Sequence, residues 1–133
     1  MKKKYVIIFS AITIIILFII LMTSTRSKSF SLEEYCSEKN CTVEEVLNGI
    51  VEEEIFFGNI NTAEDARKAA EYIWNKWYGP VIIFNKPYHV YYDELNQVWL
   101  VQGTYPILLI EGDPYIVIRK TDGKVLFYGK GKL

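Results

Sequence analysis

The strongest constraint on this chain is an apolar run near its start. Residues 5–22 (YVIIFSAITIIILFIILM) are apolar at 16 of 18 positions, with only Ser10 and Thr13 polar. As a helix the run spans about 27 Å, close to the roughly 30 Å hydrocarbon core of a bilayer, and Thr23–Thr25 can complete the crossing. It has no polar face, so it does not read as a helix of a soluble core. A cleaved signal peptide is the competing reading. Its apolar stretch is usually about 7–15 residues and ends in a small-residue site, which the following Thr-Ser-Thr-Arg-Ser-Lys lacks. The expectation is an uncleaved anchor, residues 1–28 with basic flanks, whose residues 5–22 contact the lipid bilayer. Lys2, Lys3 and Lys4 precede the run, and Arg26 and Lys28 follow it. The positive-inside bias then places a single pass in the cell membrane, N-terminus cytoplasmic and C-terminal domain extracytoplasmic.

About 105 residues remain from Ser29 onward, enough for one small domain and too few for two. They hold ten basic and sixteen acidic residues, a net charge of −6. That balance argues against nucleic acid as a partner, because phosphate binding needs clustered Lys and Arg. The only cysteines are Cys36 and Cys41, in CSEKNC. On one continuous helix they would point about 140° apart, so bridging them requires a break, which Lys39-Asn40 makes plausible. In an oxidising compartment a disulfide is expected there. Two unrelated half-buried thiols are the bland alternative. Zinc is not expected, since two thiols and one distant histidine make no site.

Three helix starts share one device. Ser31-x-x-Glu34, Thr42-x-x-Glu45 and Thr62-x-x-Asp65 each place a hydroxyl at an N-cap and an acid three residues on. The predicted helices cover about 32–38, 43–56 and 63–78. The first two belong to a segment, 29–61, that stands apart by its acidity: residues 31–65 carry ten acids and one base, a net of −9. Such a run is commonly a solvated helix face. Its functional reading is a surface that attracts a basic partner, with Glu44, Glu45, Glu52 and Glu53, joined by Glu111 and Asp113 further on, as the steering groups. The third helix carries an apolar stripe of Ala63, Ala66, Ala69, Ala70, Ile73, Trp74 and Trp77, and Gly79-Pro80 ends it.

From Val81 the period changes from 3.6 to 2. Residues 81–84, 88–92, 98–105, 115–119 and 125–129 read as strands rich in β-branched and aromatic residues. The short links at 93–96 and 121–124 join antiparallel neighbours only. The fold class is therefore α+β, with N-terminal helices packed on a curved antiparallel sheet that would form a cone. Chemistry-bearing motifs are scarce. His89 is the only histidine, sits mid-strand with no Ser or Cys motif to activate, and reads as a hydrogen-bonded structural residue. No phosphate loop, metal-ligand spacing or nucleophile elbow is present, so neither cofactor nor catalytic residues are expected. One loop stands out: Ile107, Leu108, Leu109 and Ile110 lie between prolines, beside Glu111 and Asp113. It is a further buried strand, an edge strand packed on the long helix, or an exposed apolar patch that contacts a protein.

Residues 62–133 resemble the NTF2-fold immunity proteins of bacterial polymorphic toxin systems. The likeness starts in TAEDARKAAEYIWNKWYG and continues through Lys86-Pro87-Tyr88 and Val98-Trp99-Leu100-Val101-Gln102-Gly103-Thr104. It closes with Pro114-Tyr115-Ile116-Val117-Ile118 and Asp122-Gly123-Lys124-Val125-Leu126. The resemblance implies an NTF2-like (cystatin-like) cone and a non-enzymatic protein that binds a cognate protein toxin and blocks it without turnover. Family members usually carry a glycine-rich stretch after the tryptophan strand, whereas Pro106–Asp113 is mainly aliphatic here. The last strands are also similar to PepSY-type modules, which would show a repeated helix and hairpin. Cone-shaped folds of this kind also host small-molecule enzymes, which would need His89 and an acid facing an open cavity.

Overall fold

The computed structural model describes residues 2–23, 26–104 and 112–130. The apolar run forms helix α1, Lys2–Thr23, and every described side chain on it, from Lys3 to Ile19, is exposed. Among the described residues no helix is long and apolar enough to cross a membrane.

The remainder is built on five strands in sequence order: β1 (Ser27–Ser29), β2 (His89–Asp93), β3 (Val98–Gln102), β4 (Pro114–Arg119) and β5 (Val125–Lys130). The pairs β2–β3, β3–β4 and β4–β5 are antiparallel, as the short links require. Strand β1 departs from the expectation of a wholly antiparallel sheet. It lies parallel to β2, with Ser27 opposite Val90 and Ser29 opposite Tyr92, so the sheet is mixed. A parallel neighbour needs a long crossover, and the helices between Phe30 and Tyr88 supply it.

Both faces of this sheet are buried, which explains why 98–101 and 115–118 are continuously apolar instead of alternating. On one face Val90, Trp99, Val101, Ile116, Ile118 and Val125 meet α4 (Ala63–Tyr78) through Ala63, Ala66, Ala69, Ala70, Ile73 and Trp74. The alanines allow close approach of helix and sheet, and Trp74 fills the wider end against Tyr88, ring centroids 5.0 Å apart. Trp77 is only partly buried and stacks on Tyr128 at 4.1 Å. On the other face Val98, Leu100, Tyr115, Val117 and Leu126 pack under α2 (Leu32–Lys39) and α3 (Val43–Asn48), which contribute Leu32, Cys36 and Val46. A register shift between Val117 and Ile118 turns both Leu126 and Phe127 toward this second core.

Two expected elements differ. The helix from Val43 ends at Asn48, not near residue 56, because Gly49 turns the chain with φ +80°. Beyond it the chain runs along β5 and its turn. Ile50 N–H donates to Leu126 O (3.0 Å), Phe57 N–H to Gly123 O (3.1 Å) and Ile60 N–H to Lys120 O (2.9 Å), while Val125 N–H donates to Ile55 O (2.9 Å). Trp99 Nε1 donates to Ile60 O at 3.0 Å and fixes the end of this segment. The run at 81–84 is not a strand but part of a 3₁₀ helix, Pro80–Asn85. Its buried residues, Ile82 and Asn85, are three apart, the period of a 3₁₀ helix, and Pro80 sets its first φ.

The three N-caps fall where expected. Thr42 and Glu45 form the full reciprocal box, with Thr42 N–H donating to Glu45 Oε2 (3.0 Å) and Glu45 N–H to Thr42 Oγ1 (3.1 Å). At α2 the free N–H groups are shared differently. Ser31 Oγ accepts from Glu34 N–H (3.4 Å), and the buried Asp93 carboxylate, at the end of β2, accepts Leu32 N–H at 2.8 Å. Asp93 also accepts Asn96 N–H (3.1 Å) and Asn96 Nδ2 (2.9 Å), so one carboxylate ties α2 to the β2–β3 turn.

Burial works to raise the pKa of Asp93, but hydrogen bonds from the Asn96 side chain and from the Leu32, Asn96 and Leu95 backbone outweigh it and hold the carboxyl below its ordinary value. A folded pKa below the unfolded one stabilises above about pH 4 and is lost as pH falls through the folded value. Asp93→Asn is expected to cost about 1–3 kcal/mol at pH 7, since buried donors lose a charged acceptor. Urea midpoints at pH 7 and in acid check this: the gap between parent and variant should narrow in acid. An equal gap at both would contradict the charge argument.

Candidate functional site

The acidic segment is folded onto the sheet, and α2 and α3 turn their acids outward. Leu32 and Cys36, one turn apart, lie against the sheet, which leaves Glu33, Glu34, Glu38 and, on α3, Glu44 and Glu45 on the surface. Glu52, Glu53 and Glu54 follow in the exposed loop after Gly49. The structure sorts these acids by their neighbours. Glu45 is committed to the α3 cap, Glu53 pairs with Lys76 (3.3 Å) and Glu54 with Lys124 (3.6 Å). Glu33, Glu38, Glu44 and Glu52 form no ion pair with any described residue. Of the four steering acids expected on this segment, Glu44 and Glu52 therefore form no ion pair among the described residues, whereas Glu45 and Glu53 are partly spent on structure.

Between α2 and the sheet lies an open groove of about 450 Å³. Phe30, Tyr35 and Tyr91 supply its aromatic walls, and Glu34 and Glu38 outnumber Lys39 among its charged lining residues. Phe30 meets Tyr35 and Tyr91 edge-on, with centroids 6.4 and 6.2 Å apart. Burial raises the Tyr35 hydroxyl well above its ordinary range, helped by Tyr115 and the two cysteines, so it stays a neutral hydrogen-bond donor and acceptor. Aromatic faces beside carboxylates suit a Lys or Arg side chain, through cation–π contact and ion pairing together. The groove was not expected from the sequence. Its usable signal is Glu34 and Glu38, four apart and so on one flank of the helix. The facing aromatics come from another part of the chain.

The second expected surface is described only at its margin. Ile107, Leu108, Leu109, Ile110 and Glu111 lie outside the described residues. Asp113 is half-buried, and its carboxylate accepts Gln102 Nε2 at 2.6 Å. Gln102 also lines the groove, so Asp113 joins the acidic face through that contact.

Cys36 and Cys41 are free thiols, in place of the expected disulfide. The helix break between them is present: Asn40 adopts φ +56°, and Cys41 N–H donates to Cys36 O at 3.0 Å. Burial, then the hydrogen bond to Cys41, pushes the Cys36 thiol up to about 12, which suppresses the thiolate that exchange chemistry needs. His89 is half-buried at the start of β2, with Nε2 3.4 Å from Thr104 Oγ1. It does not line the groove. Among the described residues no group of three His, Cys, Asp or Glu is placed to hold a metal.

The described residues form a long helix feeding four consecutive antiparallel strands, with no helix-and-hairpin repeat among them. The sequence model of the NTF2 fold immunity proteins matches residues 65–132, just over half of the chain. The chain belongs to that family. The match covers α4, the 3₁₀ helix and β2 to β5, the part that carried the resemblance. It leaves α1, β1, α2 and α3 outside, and with them most of the acidic face of this immunity-family protein. No curated protein and no solved structure is significantly similar to the chain.

Proposed function

We propose that this protein neutralises a cognate protein toxin by stoichiometric binding, with the α2–α3 face as the docking surface and α1 as a membrane tether. Family membership supports the class of activity. The observation that supports the surface is the set of exposed acids with no ion-pair partner among the described residues, Glu33, Glu38, Glu44 and Glu52, beside an aromatic-walled groove. Such a face speeds encounter with a basic partner and anchors one Lys or Arg of it. Asp113, which accepts Gln102 at the groove, would extend the contact.

The tether reading is supported by the apolar run at 5–22, its three preceding lysines and the exposure of every described α1 side chain. The domain then lies outside the cytoplasmic membrane, where a toxin arriving at the envelope meets a high local concentration of inhibitor.

Purification of the tagged chain from its native membranes is expected to return one basic protein in equimolar amount. With that partner, Glu33→Lys, Glu38→Lys, Glu44→Lys and Glu52→Lys combined should lower the association rate by about tenfold or more at low salt and flatten its salt dependence. Glu33 and Glu44 stand in the first turns of α2 and α3, so their reversal should cost about 0.3–1 kcal/mol each through the helix dipoles, a small fall in Tm that a thermal melt separates from unfolding. Unchanged association would remove the acidic face from the interface.

A further inference from the structure

We infer that the sheet end from which β1 departs rests on the bilayer surface, with Val81, Ile83 and Phe84 of the 3₁₀ helix seated among the lipid headgroups. This inference rests on α1 being the membrane tether, and it adds an orientation that the tether alone does not impose.

Register places the elements. Ser27 lies opposite Val90, and Arg26 precedes it, so β1 enters the sheet beside the first residues of β2. His89 opposes Gln102, and Gln102 opposes Tyr115, so the end of β3 and the start of β4 share that edge. The 3₁₀ helix is fastened to the same edge. Asn85 Nδ2 donates to Thr104 O (3.1 Å), Thr104 N–H to Asn85 O (2.6 Å) and Thr104 Oγ1 to Pro87 O (2.7 Å). The turns at 94–97 and 120–123 occupy the opposite end.

Connectivity limits how far this edge can stand from the tether. Four peptide steps separate Thr23 from Ser27, a reach of at most about 14 Å. A headgroup layer is roughly 5–8 Å thick on each side of the hydrocarbon. The edge carrying the 3₁₀ helix therefore starts close to the membrane surface if α1 ends at the hydrocarbon boundary.

The side chains there suit that position. Ile82 is buried, while Val81, Ile83 and Phe84 are 47, 57 and 66% exposed on one short helix. Val81 and Phe84 are three apart and so nearly eclipsed in a 3₁₀ helix, with Ile83 adjacent. Arg26 and Lys28 lie at the same sheet end through the β1 register, and Lys86 follows the 3₁₀ helix, paired with Glu71 at 3.6 Å. Exposed apolar tips with basic residues at the same end are the composition of an interfacial contact. Seating this end turns the opposite turns toward solvent and leaves the α2–α3 face lateral, open to a partner.

The test uses the full chain in phosphatidylcholine vesicles, in a Cys36→Ala and Cys41→Ala background. An environment-sensitive fluorophore is attached at Phe84→Cys, at Val81→Cys or, at the far end, at Leu95→Cys, a position 87% exposed. A nitroxide lipid labelled near the headgroup should quench the probes at 84 and 81 roughly threefold more than the probe at 95. Equal quenching at the two ends overturns the seat while leaving the tether standing, provided the chain resists alkaline extraction. A chain that is extracted overturns both. Protection at 84 that disappears on dilution of protein in lipid assigns the patch to a second copy and overturns the proposal as well.

Discussion

Trp74→Ala is expected to destabilise the domain by about 3–5 kcal/mol, the range for truncating a fully buried tryptophan. Trp74 is wholly buried, and the buried residues within one turn of it on α4 are Ala70 and Ile73. Alanines have no side chain to swing into the space, and the sheet below is held by its ladders, so the cavity cannot collapse. The edge-on contact with Tyr88 is lost as well. For a domain of this size each kcal/mol lowers Tm by about 4–8 °C, so thermal denaturation followed by circular dichroism should show a fall of about 12 °C or more. Trp74→Phe should cost far less. The indole Nε1 has no acceptor among the described residues, so its removal forfeits no hydrogen bond. Equal costs for the two variants would mean that volume is not what Trp74 supplies.

Gly123→Ala is expected to cost on the order of 3 kcal/mol, from two separable sources. Gly123 sits at φ +66° in the β4–β5 turn, where an L side chain meets a penalty of about 1–2 kcal/mol. A methyl group there would also collide with the carbonyl of Gly58 and approach Gly58 N and Phe57 N, both at 2.9 Å. Backbone cannot rotate aside as a side chain can, so the strand-like segment at 55–60 must move, adding about 1–3 kcal/mol of overpacking. Gly58→Ala isolates the first source, because Gly58 has φ +78° but open space around its would-be side chain. The difference between the two urea midpoints measures the collision. Hydrogen exchange at Phe57, Gly58 and Ile60 should rise in Gly123→Ala, since those N–H groups bond to the turn and to Lys120. A cost equal to that of Gly58→Ala would show that segment 55–60 is not held against the turn.

The elements with a strong local signature were legible. Helix α4 runs from Ala63 to Tyr78 as its cap, stripe and Gly-Pro stop require, and the hydroxyl N-caps of α2 and α3 fall on Ser31 and Thr42. Strands β2 to β5 follow from β-branched and aromatic runs joined by links too short for anything but hairpins. What misled was apolar character without a decisive period. Residues 81–84 are apolar enough for a strand, yet Pro80 and a three-residue spacing of buried positions make a 3₁₀ helix. Past Gly49 the helical pattern continues in the letters while the backbone turns away to border β5. The acids of the candidate site were legible as charge, but which of them keep that charge free was not. Glu53 is drawn to Lys76, 23 residues away in sequence, and Glu54 to Lys124.

Sequence alone therefore determined the α+β class, the family, the excess of negative charge and the apolar leading segment. These depend on composition and on contacts between near neighbours along the chain. Tertiary structure decided that the acidic segment closes the second face of the sheet, that β1 runs parallel beside β2, and that Phe30, Tyr35 and Tyr91 meet beside Glu34 and Glu38. Each of those outcomes joins residues tens of positions apart. Burial of the sheet's second apolar face selects such pairings, and no local preference encodes them.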